Sequence, residues 1–142
     1  MNRSVPEVGT RLPESTAGPF TGAELAAYAQ ISGDANPLHL DSELARKVGL
    51  AAPPVHGMLL LAAFEPALQK WRPDLRIARL SGRFTHPVLE GEPVTLSGRV
   101  VRVSGGDVPQ ILVRLMANGT SRAPAIVGEA MLVPRGVYPD AP

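Results

Sequence analysis

An α+β fold, with helices early and an antiparallel sheet late, is what the order of patterns along these 142 residues predicts. Three observations carry this. Helix start and stop signals cluster in the first half, at Thr21, Gly33, Asp41 and Gly49. The longest unbroken apolar run, Met58 to Phe64, suits a buried helix. From residue 77 onward the pattern turns to period-two alternation cut by turn residues.

Residues 1–19 hold Pro6, Gly9, Pro13, Gly18 and Pro19, which leaves room for at most a short edge strand near Thr10 to Leu12. Thr21 and Glu24 have the spacing of a capping box, each side chain serving the other's backbone N–H, and Gly33 ends that helix. Pro37 biases Asn36 towards extended geometry, while Asp34 and Asn36 favour side-chain-to-backbone turns. Asp41 is a natural N-cap for a short helix through Val48, stopped by Gly49. Gly57 opens the segment MLLLAAFEPALQKW, apolar all round at first and hence expected to be buried on every side, with Pro66 as a kink or break.

Four strands follow, at Ile77–Thr85, Pro93–Val103, Gln110–Ala117 and Ala125–Val133. In the second, the apolar phase slips at Val101 and Val103, which predicts a bulge. Ser104 to Asp107 and Asn118-Gly119 are turn signals. A late meander of four strands can curl around one apolar helix. Residues 1–142 read as one domain, with 1–9 and 135–142 as loose tails.

Composition narrows the function classes. A formal net charge of +1 with scattered basic residues argues against nucleic acid. The absence of cysteine excludes a disulfide framework, a thiolate metal site and a cysteine nucleophile. Asp, Glu and His are too dispersed for a metal-ligand motif, and no phosphate-binding glycine loop or nucleophile elbow is present. The N-terminal stretch lacks the apolar core of a signal peptide, and the apolar run is far short of the ~20 residues that span a bilayer. The expectation is a soluble, cytoplasmic protein without membrane contact.

The chemistry concentrates between Tyr28 and Gly57. Asp34 and His39 lie five residues apart across a proline turn, where both could reach one small molecule such as water. The same residues also suit an ordinary Asx turn with a structural histidine. Gly57 heads the apolar helix, where an exposed backbone N–H could stabilise a developing oxyanion, or simply allow a tight chain path. His56 fits a supporting role, and His86, before Pro87 at a strand end, a structural one.

The run Tyr28-Ala29-x-x-Ser32-Gly33-Asp34-x-Asn36-Pro37-Leu38-His39-x-Asp41-x-x-x-Ala45, followed by His56-Gly57-Met58, resembles the MaoC-like hydratase/dehydratase family. That family includes the (R)-specific enoyl-CoA hydratases and β-hydroxyacyl-thioester dehydratases. The resemblance extends to Phe20-Thr21 and to Arg83-Phe84-x-x-Pro87-Val88-x-x-Gly91-x-x-Val94, so it covers nearly the whole chain. It implies a hot-dog fold, a curved antiparallel sheet around a long central helix, paired into a homodimer or a heterodimer. It also implies that Asp34 and His39 activate water for addition to a trans-2-enoyl thioester, or for its removal from an (R)-3-hydroxyacyl thioester. The Gly57 N–H would polarise the thioester carbonyl. No metal or redox cofactor is implied; CoA or acyl-carrier protein is the substrate's handle.

One departure stands in the central helix. Some family members have a small hydroxyl residue eight positions after the glycine, where this chain has Glu65, and a buried carboxylate there would be costly. Two other readings remain at this point: an acyl thioesterase on the same fold, and a non-catalytic acyl-binding or partner subunit. Lys47, Arg72 and Arg83 are candidates to grip CoA phosphates.

Overall fold

A computed structural model describes residues 4–136, so the outermost parts of both expected tails, 1–3 and 137–142, lie outside the described residues. Five strands, β1 (Arg11–Ala17), β2 (Leu75–Phe84), β3 (Val94–Ser104), β4 (Gln110–Asn118) and β5 (Ile126–Pro134), form one antiparallel sheet in the order β1-β3-β4-β5-β2. Helix α1 (Gly22–Ser32) and the short α2 (Ser42–Lys47) precede the central pair, α3 (Gly57–Ala62) and α4 (Phe64–Trp71).

The local signals operate as the sequence reading expects. The Thr21 hydroxyl accepts from the Glu24 N–H, the Glu24 carboxylate reaches back to the Thr21 N–H, and Gly33 closes α1 in the left-handed region at φ 81°. Asp41 caps α2 by accepting from the N–H groups of Glu43 and Leu44. The phase slip in β3 is a bulge, where the pairing with β4 shifts between Val100 and Arg102.

Three expectations are corrected. The early edge strand runs seven residues rather than three; a register shift between Leu12 and Ser15 takes up Pro13, which an edge strand tolerates because its N–H is not needed there. Only β3, β4 and β5 form a meander, since β2 pairs with β5 at the far edge. The chain between β2 and β3 is stitched to residues 53–55 instead of turning back: Val55 N–H donates to the Val88 carbonyl at 2.7 Å and Glu90 N–H to the Pro53 carbonyl at 2.8 Å. The central helix is present but split at Ala63. Pro66 supplies no N–H to the Ala62 carbonyl four residues back and its ring crowds that turn, so the break falls one turn ahead of the proline.

Nor is that helix buried on every side in the single chain. Leu60, Leu61, Phe64 and Leu68 form the inward stripe and pack with Val100, Val113, Leu115, Ile126 and Leu132 of the sheet. Burying each such side chain contributes about 1.5–3 kcal/mol. Met58, Ala62 and Glu65 face outward and are exposed, so Glu65 carries no burial cost. Among the described residues no helix is long and apolar enough to cross a membrane.

The described parts of the tails are tied down. Arg72 donates through Nη2 to the Ser4 carbonyl at 3.0 Å, Gly9 N–H bonds the Val100 carbonyl at 2.8 Å, and Arg135 N–H bonds the Asp74 carbonyl at 3.0 Å.

Candidate active site

Local turn chemistry builds the first half of the site. Asn36 adopts the extended backbone that Pro37 imposes (φ −56°, ψ 122°), and its side chain accepts from the Leu38 N–H, starting the single 3-10 turn Pro37–His39. That turn swings His39 back towards Asp34. Oδ1 of Asp34 accepts from the Asn36 N–H at 3.4 Å, while Oδ2 lies 3.9 Å from His39 Nε2. The spacing exceeds a direct hydrogen bond. It leaves both groups able to engage one water between them.

The second half comes from the segment before α3. Nδ1 of His39 lies 2.7 Å from the Pro54 carbonyl, which can only accept, so Nδ1 carries the hydrogen and a neutral His39 presents a bare Nε2 towards Asp34. His56 is buried, 1% exposed, and its Nε2–H donates to the Asp34 carbonyl at 3.1 Å. Its ring stacks on His39 with centroids 4.0 Å apart and 22° between planes, and meets the edge of Tyr28 at 4.8 Å.

Gly57, the first residue of α3, leaves its N–H outside the helical ladder. A Cβ here would come within 3.0 Å of the Phe84 ring at the end of β2, so glycine is what lets that aromatic lie against the donor. Asp34, Gly57, Met58, Leu60 and Phe84 line a common cleft of about 490 Å³, which His86 also borders. Grooves of about 510 and 680 Å³ run along the outer face of the sheet beside Arg114 and Met116, but neither contains Asp34, His39 or Gly57. The chemistry, rather than the size of a hollow, selects the 490 Å³ cleft.

Asp34, His39 and His56 offer donor atoms within 4.8 Å of one another, close enough to raise the question of a metal ion. Stacked rings, however, send their in-plane lone pairs out nearly parallel, and a metal needs them to converge at about 2.0–2.1 Å. One nitrogen of each ring is also committed to a backbone carbonyl. The arrangement suits proton transfer rather than coordination.

The structure thus places Asp34 and Gly57 on one cleft, sets His39 3.9 Å from Asp34, and packs His56 against His39 and the Asp34 carbonyl. Arg72 is not available to a CoA phosphate. It is buried, with Nε and Nη2 on the two carboxylate oxygens of Asp74 at 2.8 and 2.7 Å, and that hydrogen bonding pushes its pKa up despite the opposing cost of desolvation. Lys47 and Arg83 remain exposed. Sequence reasoning missed two contributors. The Pro54 carbonyl gives no side-chain signal, and Phe84, a strand residue within the family-like run, shows no tie to the site until the fold lays it over Gly57.

A five-stranded antiparallel sheet curved around a central helix defines the hot-dog class. The sequence matches the MaoC-like domain over residues 4–120, and the chain belongs to that family. It is 35% identical over 116 residues to the (R)-specific enoyl-CoA hydratase of Aeromonas caviae, covering 80% of this chain and 85% of that protein. It is 34% identical over 93 residues to the mitochondrial 3-hydroxyacyl-[acyl-carrier-protein] dehydratase of Arabidopsis thaliana, covering 66% of this chain and 55% of that one. The solved structure of the A. caviae (R)-hydratase involved in PHA biosynthesis superimposes with a TM-score of 0.81 at 32% identity, covering 92% of this chain and 98% of that one.

Proposed function

We propose that this chain is a hydro-lyase that adds water to a trans-2-enoyl thioester, giving the (R)-3-hydroxyacyl thioester, and catalyses the reverse dehydration. The observation that carries the reading is the bare Nε2 of His39 facing Oδ2 of Asp34 across 3.9 Å, with Asp34 and Gly57 lining one cleft. The family and its named relatives supply the reaction class.

Water held between the two groups donates one hydrogen bond to Asp34 and the other to His39 Nε2. As the oxygen bonds to C3, His39 takes the proton, and negative charge builds on the thioester oxygen against the Gly57 N–H. His39 then returns the proton to C2 from the same face, completing a syn addition with atoms in balance. The steps call on no metal or redox cofactor; CoA or an acyl-carrier protein is the handle of the substrate, and one relative named above is an enzyme of each kind.

The test is hydration of crotonyl-CoA, followed by loss of enoyl absorbance with no release of free thiol. Asp34→Asn and His39→Ala should each lower turnover roughly 10²- to 10⁴-fold while the thermal melt is kept. Wild-type turnover in both variants would sink this assignment.

The working unit in this reading is a homodimer of single-domain chains, with a heterodimer as the alternative. In its support, β2 ends the sheet with one edge unpaired among the described residues, and Met58 and Phe84 stand exposed, both lining the candidate cleft. Sedimentation of the purified chain should give twice the mass of one protomer; a monomer with full activity would refute it.

A further inference from the structure

His56 is the one buried histidine, and its place at the head of α3 is one where a capping side chain would ordinarily stand. It occupies the N-cap position of α3 yet makes no capping bond, where Ser, Thr, Asp or Asn would satisfy the helix's free N–H groups. Its Nδ1 is buried with no partner among the described residues, a cost that an apolar ring of similar size would avoid. What the imidazole does instead is touch both members of the candidate pair. Nε2–H holds the backbone carbonyl of Asp34 from 22 residues away, and the ring face backs His39 at 4.0 Å. Tyr28, on α1, meets the same ring edge-to-face.

We infer that His56 is a positioning residue for the hydratase reaction. Its N–H fixes the Asp34 backbone, its ring fixes the plane of His39, and together these set the gap in which water is activated. The inference rests on the function proposed above. It adds that the two reactive side chains, which sit on an exposed loop, are held in register by one buried ring. A displacement of about 1 Å between reacting groups can cost on the order of 10²-fold in rate.

Two substitutions separate the contacts. His56→Phe keeps a ring against His39 but loses the N–H; His56→Gln keeps an N–H for the Asp34 carbonyl but loses the ring. His56→Phe should lower kcat roughly 10- to 100-fold with KM little changed, and His56→Gln should recover part of that loss. With three histidines in the chain, imidazole nitrogen signals can be assigned by substitution. His39 should show a hydrogen fixed on Nδ1 in the wild type and in His56→Phe, which keeps the ring, and mixed tautomers in His56→Gln, which loses it, whatever the activity. Wild-type kcat in His56→Phe together with an unchanged His39 signature in His56→Gln would overturn the inference. So would an equal loss in both variants with KM rising in step, which marks general loosening. Should His56→Phe fail to fold, His56→Gln still decides: it must keep the His39–Asp34 geometry better than His56→Ala does, as read by kcat. If the wild-type protein itself does not hydrate enoyl thioesters, it is the proposed function that falls, and the nitrogen signals alone then judge the role of His56.

Discussion

Two acidic side chains of this protein face a basic partner, and they do so in opposite ways. At the end of α4, Asp74 receives Arg72 through both oxygens, at 2.8 and 2.7 Å, and the guanidinium, 8% exposed, also ties down the Ser4 carbonyl. At the cleft, Asp34 and His39 stop 3.9 Å apart, with the Asp34 side chain half-exposed. The first pair is closed: little hydrogen-bonding capacity is left for anything that arrives. The second is held apart by its surroundings, Asn36 and His56 on the Asp34 side and Pro54 and His56 on the His39 side. A tight bidentate pair fixes a chain segment, whereas a pair kept just beyond bonding distance has capacity for a third molecule.

Breaking the open pair should therefore cost activity and leave stability almost untouched. Asp34→Asn or His39→Ala removes roughly 10²–10⁴ in turnover, or about 3–5 kcal/mol of barrier lowering. Denaturant midpoints within error of wild type would confirm the contrast. Breaking the closed pair should do the reverse. Arg72→Ala leaves the Asp74 carboxylate and the Ser4 carbonyl without their donor and should destabilise the fold by about 1–3 kcal/mol. Its KM for crotonyl-CoA should not move, because the guanidinium is turned inward. A raised KM with unchanged stability would return Arg72 to the substrate side, where the sequence first placed it.

What could be read in advance depended on distance along the chain. The caps at Thr21 and Asp41, the stop at Gly33 and the bulge after Val100 all arise from residues within a few positions of one another, and each shows as a pattern. The nearness of Asp34 and His39 is legible for the same reason, since the Asn36-Pro37 turn alone brings it about. The far-edge position of β2 is not local. It lies in the pairing of β2 with β5, about fifty residues apart along the chain, and in backbone bonds between residues 88–90 and 53–55 that carry no side-chain signature. The same holds for the Pro54 carbonyl that orients His39, for Phe84 over Gly57 and for the inward turn of Arg72. The break at Ala63 was signalled by Pro66, but which helix face stays open is a property of the assembled sheet. Roles for Asp34, His39 and Gly57 came from resemblance, because spacing alone also fits an Asx turn.

Glu92 lies between the two extremes and offers the finest test of the contrast. Its carboxylate is met by three donors: the Leu89 N–H at 2.9 Å, and the Thr120 N–H and hydroxyl at 2.7 and 2.8 Å. Gly119 leaves room for it, since a Cβ there would run into the carboxylate. Burial pushes the Glu92 pKa up, but the bonds from Leu89 and Thr120, aided by the charge of His86, outweigh burial and hold it below the usual value. A carboxyl whose folded value is depressed stabilises the fold above its unfolded pKa, about 4.3, and that contribution fades as pH falls through the folded value. Glu92→Gln should thus be less stable than wild type near neutrality, by no more than about 1 kcal/mol for so accessible a group. The difference should shrink steadily as the melts are repeated below about pH 4, because wild-type Glu92 then becomes as neutral as the glutamine. A gap that stays constant with pH would mean that the side chain acts through shape alone.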